Sequence, residues 1–326
     1  AIFGGVPTIL GGDFAQIPPV VKFGNRTSIV TASIKNSYLW RHIVVLHLRT
    51  NMRLRGSSEN DSHYKNWIQE LTRNPILQNS DIPLPPYSSR TESRTEMISQ
   101  IYPQNILNNI EHHPQRLYKS AILTTRNDNV DRLNETIIDL IPQQSTIMLS
   151  ADRVQDSENE VLRIASEYLQ TLNPPNFPPS RLVLKPGCIV MLLRNLRPSK
   201  GLCNGTRLMI KEIMQFSLKV SVLGNADGEE QIELIPRIEL ATLQNQYLFI
   251  LIRKQFPVKL SFAMTINKSQ GQSLENVGID LTFPVFTHGQ LYVALSRSTN
   301  INSIHILLPS SENSGTVSNV TYPELL

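Results

Sequence analysis

Residues 121–142, AILTTRNDNVDRLNETIIDLIP, change their periodicity partway along. Ala121 to Thr125 form a continuous apolar and β-branched run, as a buried strand requires. Val130, Leu133, Ile137 and Ile141 then recur at three- and four-residue spacing, one face of a helix, until Pro142 stops the pattern. A strand that feeds a helix is the unit of a parallel sheet, because parallel neighbours need a long crossover and a helix supplies it. The same character returns after Val258, where 277–281 and 303–308 read as strands and 288–297 as the helix between them. Upstream, residues 2–12 predict a short buried strand ending in a Gly-Gly-Asp turn. Residues 44–48 predict another strand, running into Arg49-Thr50-Asn51-Met52-Arg53. The expected fold class is α/β.

A second texture interrupts this one. The stretch at 173–179, NPPNFPP, reads as a stiff linker, and 74–96, rich in Pro, Ser and charge, as a loop or long connection. Beyond the linker come short β-rich runs at 181–184, 188–196, 206–214, 218–223 and 231–235. They are divided by turn residues at 185–187, 201–205 and 227–228. A small antiparallel barrel or sandwich inserted into the α/β domain accounts for that order.

The 326 residues, 40% of them apolar, suffice for a sizeable core, and the length favours two or more domains. A net charge of +4 is compatible with a polyanionic partner but does not require one. Cys188 and Cys203 have neither CxxC spacing nor a His cluster, so no metal site or redox pair is expected. The longest apolar run, residues 247–252, falls far short of the roughly 20 residues of a membrane span, and a soluble protein is expected. The chain opens on Ala1 inside an apolar segment, not on methionine, and is read as a piece of a longer protein.

Several residues have a chemical and a plain reading. LGGDFAQIPPV, residues 10–20, sets a polar group between apolar anchors after two glycines. Gln16 either caps backbone there or orients water beside a transferred phosphoryl group; Asp13 and Arg53 share its placement beyond strand ends, where α/β sheets collect ligands. Arg53 and Arg297 are either solvated surface arginines or guanidiniums that stabilise developing phosphate charge. Thr265, Asn267, Lys268 and Ser269, followed by Gln270 and Gly271, offer hydroxyl, amide and ammonium groups in one turn. They make either a satisfied polar turn or a grip on phosphates and sugars without base reading. His63, His112, His113 and His288 lack partners at ligand spacing and read as structural or exposed; Trp40 and Trp67 read as packing groups.

In order along the chain, residues 11–20, 48–53, 265–274 and 292–297 (YVALSR) resemble helicase motifs III, IV, V and VI of the petite integration frequency (Pif) family of superfamily-one DNA helicases. Among that family they are most like the versions carried by Helitron-type transposons. LKPGCIVMLLRNL at 184–196 and GLCNGTRL at 201–208 resemble the family's inserted β-barrel. The resemblance covers residues 1 to about 308 and implies RecA-like domains with ATP and Mg²⁺ between them and single-stranded DNA across both, moved 5′ to 3′. Gln16 would then sense the γ-phosphate, Arg53 and Arg297 would be arginine fingers, and Gly12, Asp13, Gln270 and Gly271 would line the nucleotide. Thr265, Asn267, Lys268 and Ser269 would grip the strand, with Asn267 standing where many members have histidine.

The implied domains are 1–48 as the end of the first motor domain, 49–172 with 257–308 as the second, 173–256 as the inserted barrel and 309–326 as a polar tail. Implied partners are single-stranded DNA and duplex junctions, with a monomer acting in the nucleus, or also the mitochondrion, in repair, recombination, telomere maintenance or transposition. One departure matters. No G-x-x-x-x-G-K-[ST] loop and no Asp-Glu pair occur in this sequence. The expectation is that the chain alone hydrolyses ATP negligibly. The alternative is a degenerate transposon remnant that binds single-stranded nucleic acid without a motor; a non-helicase nucleoside triphosphatase with no affinity for DNA is a third.

Overall fold

The computed structural model describes residues 2–48, 59–86, 88–155, 164–224, 230–243, 247–298, 300–309 and 315–326. The chain divides into two compact units, one of residues 1–101, 122–130 and 264–326, the other of 102–121 and 131–263.

The first unit carries the sheet that the β-α reading anticipates. Its strands lie in the order Ala263–Thr265, Ser120–Thr124, Asn276–Asp280, Ile304–Leu307 and Ser89–Thr91. Asn276–Asp280 runs parallel to Ile304–Leu307, with Val277 opposite Ile304, and that strand runs parallel to Ser89–Thr91. Every residue of Ser120–Thr124 is buried, as expected of a strand covered on both faces. Helix Arg94–Ile101 lays Met97, Ile98 and Ile101 into the core, each burial worth about 1.5–3 kcal/mol. Gly278 lets it approach, for a Cβ there would stand 2.8 Å from Met97 Sδ. Helix Glu59–Arg73 buries Tyr64, Ile68 and Leu71, and the Tyr64 hydroxyl donates to the Leu295 carbonyl at 3.0 Å.

Four expectations need correction here. Residues 2–12 are not a buried strand: Ile2–Gly5 is a short 3-10 turn, and Ile9 beyond it is 98% exposed. Residues 44–48 belong to no strand, with Val44, Leu46 and Leu48 exposed. An apolar run becomes a strand only where its N–H and C=O groups find a ladder, and none among the described residues offers one. Residues 74–96 are not a plain connection, since Ser80–Pro83 and Ser89–Thr91 lie within them. Nor is the end of the chain a polar tail: Thr316–Asn319 pairs antiparallel with Ser80–Pro83, and Val317, Tyr322 and Leu325 are buried. Asn319 fixes that strand by donating to the Leu71 and Leu77 carbonyls at 2.9 and 2.7 Å.

The second unit is antiparallel, as the turn-punctuated runs anticipate. Ile232–Pro236, Ser217–Val222, Arg207–Ile213, Ile189–Leu192 and Val258–Leu260 form one five-stranded sheet in that order. Ile238–Ala241, Ile250–Gln255 and Ala151–Gln155 form a second, and Thr146–Leu149 pairs with Arg181–Leu184. This unit is wider than the 173–256 expected for the insertion. The proline stretch lies inside it, with Pro174 and Pro178 buried, so it does not act as a linker. Prolines restrict the chain whether or not they separate domains, and here the Pro178 carbonyl accepts from Arg253 Nη1 at 3.1 Å. The same buried guanidinium makes a forked pair with Asp152, Nε to Oδ1 at 3.0 Å and Nη2 to Oδ2 at 2.7 Å. Cys188 is buried, which pushes its thiol up to about 12; Cys203 is only half-buried.

Candidate functional site

The residues singled out by chemistry meet, within the first unit, around the turn at 13–17. Asp13 organises it. Its Oδ1 accepts the Ala15 N–H at 3.0 Å, and its Oδ2 accepts the Gln16 amide at 3.2 Å and the Tyr292 hydroxyl at 3.1 Å. Gln270 Nε2 donates to the Ile17 carbonyl at 3.1 Å. His288 Nε2 lies 2.8 Å from the Phe14 carbonyl, while Nδ1 accepts the Tyr322 N–H at 2.7 Å. An Nδ1 that accepts leaves the ring proton on Nε2, so the imidazole is neutral. Burial lowers its pKa from the usual 6.5, against the attraction of Asp13 and Glu324. Gly289 follows at φ +72°, a left-handed conformation just before helix Gln290–Leu295; a Cβ there would collide with the Ala15 carbonyl oxygen and stand 2.8 Å from Gln16 C.

The stretch 265–271 is a short 3-10 turn, Ile266–Ser269, capped by Thr265, whose Oγ1 accepts the Lys268 N–H at 3.4 Å. Ser269 is fully buried and its hydroxyl donates to the Ile266 carbonyl at 2.7 Å. Asn267 Oδ1 accepts the Gln290 amide at 3.0 Å. Lys268 is half-exposed, and no hydrogen bond or ion pair of its ammonium is found among the described residues. Gly12 and Gly271 both present bare backbone, with open space where a side chain would stand. A phosphate approaches such backbone without steric cost.

Arg297 departs from the cleft-facing geometry expected of it. It is fully buried, with Nε on the Val293 carbonyl at 3.0 Å, Nη1 on the Gln272 carbonyl at 3.2 Å and Nη2 on Ser296 Oγ at 2.9 Å. In this state it braces the 265–274 turn against its own helix. Arg53 lies outside the described residues. The structure thus brings Asp13, Gln16 and Gln270 together, leaves Lys268, Gly12 and Gly271 accessible, and spends Ser269 and Arg297 on internal bonds. His288, Gly289 and Tyr292 were not singled out from sequence as site residues. A His-Gly pair opening the predicted helix 288–297 was the available signal, since a glycine there marks a close backbone approach.

Asp13 already accepts from three donors and, among the described residues, no group of three or more His, Cys, Asp or Glu side chains is placed to hold a metal ion. These residues do not fit Mg²⁺, which demands a nearly complete octahedron of oxygens.

Comparison with known proteins agrees with the motif order. Family models match at residues 1–80 (PIF1-like helicase), 167–213 (DNA helicase Pif1, 2B domain) and 237–318 (Helicase). The chain is 27% identical over 310 residues to the ATP-dependent DNA helicase PIF1 of Xenopus laevis, covering 94% of this chain and 41% of that protein. It therefore spans about two fifths of that relative's length. Its fold is like that of the Pif1 helicase from Candida albicans (TM-score 0.60, 19% identity, 96% of this chain and 66% of that one). It is also like the Pif1 helicase from Bacteroides in complex with ADP-AlF3 and single-stranded DNA (TM-score 0.60, 21% identity, 93% and 62%). Those neighbours give the fold, RecA-like α/β.

Proposed function

We propose, from its similarity to PIF1-like helicases, that the chain is part of an ATP-dependent DNA helicase, the part that senses nucleotide at the 13–17 turn and grips single-stranded DNA at 265–271. The observation that carries this is the meeting of Asp13, Gln16, Gln270 and Tyr292 from three separated stretches around one turn. ATP would lie against the bare backbone of Gly12 and Gly271, with Gln16 directed at its γ-phosphate. Arg297, once released from its internal bonds, would supply charge, and so would Arg53, which lies outside the described residues. Lys268 and Thr265 would hold phosphate oxygens, and Asn267 would orient through Gln290. None of these groups reads a base, so binding is independent of sequence. The exposed apolar residues of 2–12 and 44–48 support the reading of 1–48 as part of a first motor domain whose burying partners are not among the described residues.

On this reading the protein tracks 5′ to 3′ as a monomer, on single strands and at duplex junctions, in the nucleus or the mitochondrion. Repair, recombination, telomere maintenance or Helitron-type transposition would employ it. This chain by itself hydrolyses ATP negligibly, because it contains no lysine-bearing phosphate loop and no acidic pair for Mg²⁺. The buried state of Arg297 favours a second reading, a strand-binding remnant with no motor.

Titration of a labelled single-stranded oligonucleotide at low and high salt tests both. Affinity that falls steeply with salt is expected, and an absence of affinity at low salt rejects both. DNA-stimulated ATP hydrolysis by the purified chain, abolished in Arg297→Ala, would contradict the negligible turnover proposed here.

A further inference from the structure

The imidazole of His288 joins two segments that the chain keeps far apart. On one side Nε2–H meets the Phe14 carbonyl at 2.8 Å, in the turn that carries Gln16; on the other Nδ1 takes the Tyr322 N–H at 2.7 Å. The ring is fully buried and lies against the Tyr322 ring, centroids 5.5 Å apart. The guanidinium of Arg26 covers that same tyrosine at 4.9 Å and pairs with Glu324 at 2.8 Å. Lys35 stands 4.4 Å over the Phe14 ring and donates to the Leu325 carbonyl at 2.9 Å. With Gly289 packed under Ala15 and Gln16, the stretch 288–289 sets both the height and the orientation of the turn.

We infer that His288 is a positioning residue for Gln16, a neutral clasp that holds the 13–17 turn against the segment 315–326 and releases it when the ring is protonated. The inference rests on the reading of Gln16 as the group that senses nucleotide. Its chemistry follows from the two bonds. Protonation turns Nδ1 from acceptor to donor, and a donor facing the Tyr322 N–H cannot be satisfied. The charged groups facing the ring are Asp13 on the turn, Glu324 on the closing segment and Arg26 on helix Arg26–Thr31. The two carboxylates ease protonation, while burial and Arg26 oppose it.

Residue-resolved amide exchange of the full chain, corrected for intrinsic rates, tests the clasp. Protection of the Gln16 and Tyr322 amides in the wild type is expected to fall about tenfold between about pH 7.5 and about pH 5. His288→Phe, which keeps a ring against Tyr322 but neither hydrogen bond, is expected to show that loss at every pH, with strands Asn276–Asp280 and Ile304–Leu307 unmoved. Unchanged Gln16 protection in the variant, or a loss shared equally by those strands, would overturn the inference. If the variant does not fold, the wild-type pH series decides, since a flat Gln16 profile would reject the clasp. A clasp that behaves as stated in a chain without affinity for DNA would reject the helicase reading and leave standing only the hold of His288 on the 13–17 turn.

Discussion

At Gly289 the fold depends on the lack of a single atom. Its φ of +72° is a conformation that L side chains rarely adopt, and a Cβ there would run into the Ala15 carbonyl oxygen. Gly289→Ala is expected to destabilise the chain by about 1–3 kcal/mol and to lower the thermal midpoint; a midpoint equal to wild type would mean the turn at 13–17 is not held there. The neighbouring His288 sets a pH dependence. Burial holds its folded-state pKa below the usual 6.5, so the unfolded chain takes up a proton first as the pH falls. Its contribution is therefore complete above about pH 6.5 and lost as the pH drops toward the lowered folded value. Denaturant midpoints measured from pH 8 downward should decline below that point in wild type and less steeply in His288→Phe. His305, lowered by burial as well, contributes in the same direction and keeps the variant from being flat.

Among the elements, those with strong local periodicity were legible from sequence and those that depend on distant partners were not. Residues 121–142 gave strand Ser120–Thr124 within one residue and helix Asn127–Asp139 within three, because β-branched runs and a helical apolar stripe are local properties. Strands Ser80–Pro83 and Thr316–Asn319 escaped notice: each has four residues, and neither means anything without its partner across the chain. The reverse error arose at 44–48, apolar enough to read as a strand and yet unpaired. At the site, Asp13 and Gln16 stood out as polar groups between apolar anchors, while Gln270 entered only through the family resemblance. The clasp at His288 was not, because a histidine's partners here are backbone groups that leave no mark on sequence. The late strand provides a test at this scale. Asn319→Ala removes two donors to buried carbonyls and is expected to cost about 1–3 kcal/mol, read as a lower denaturant midpoint. An unchanged midpoint would mean the pairing with Ser80–Pro83 contributes little to the first unit.

For the molecule as a whole, the chain combines a unit that carries a parallel sheet with an antiparallel one. On the proposed reading, nucleotide sensing and strand grip would both belong to the first unit, on the turns at 13–17 and 265–271, which Gln270 joins through the Ile17 carbonyl. In a whole motor such a bridge would serve to couple hydrolysis to strand movement, since coupling runs through contiguous bonded groups with two arrangements. The claim on which this depends is that the 265–271 turn meets a phosphate backbone. Its direct measure is the salt dependence of single-stranded DNA affinity in wild type and in Lys268→Ala. Weaker binding to oligonucleotides of every sequence is expected for the variant, with a log–log salt slope shallower by about 0.7–1. Equal affinity and equal slope in the two proteins would contradict it.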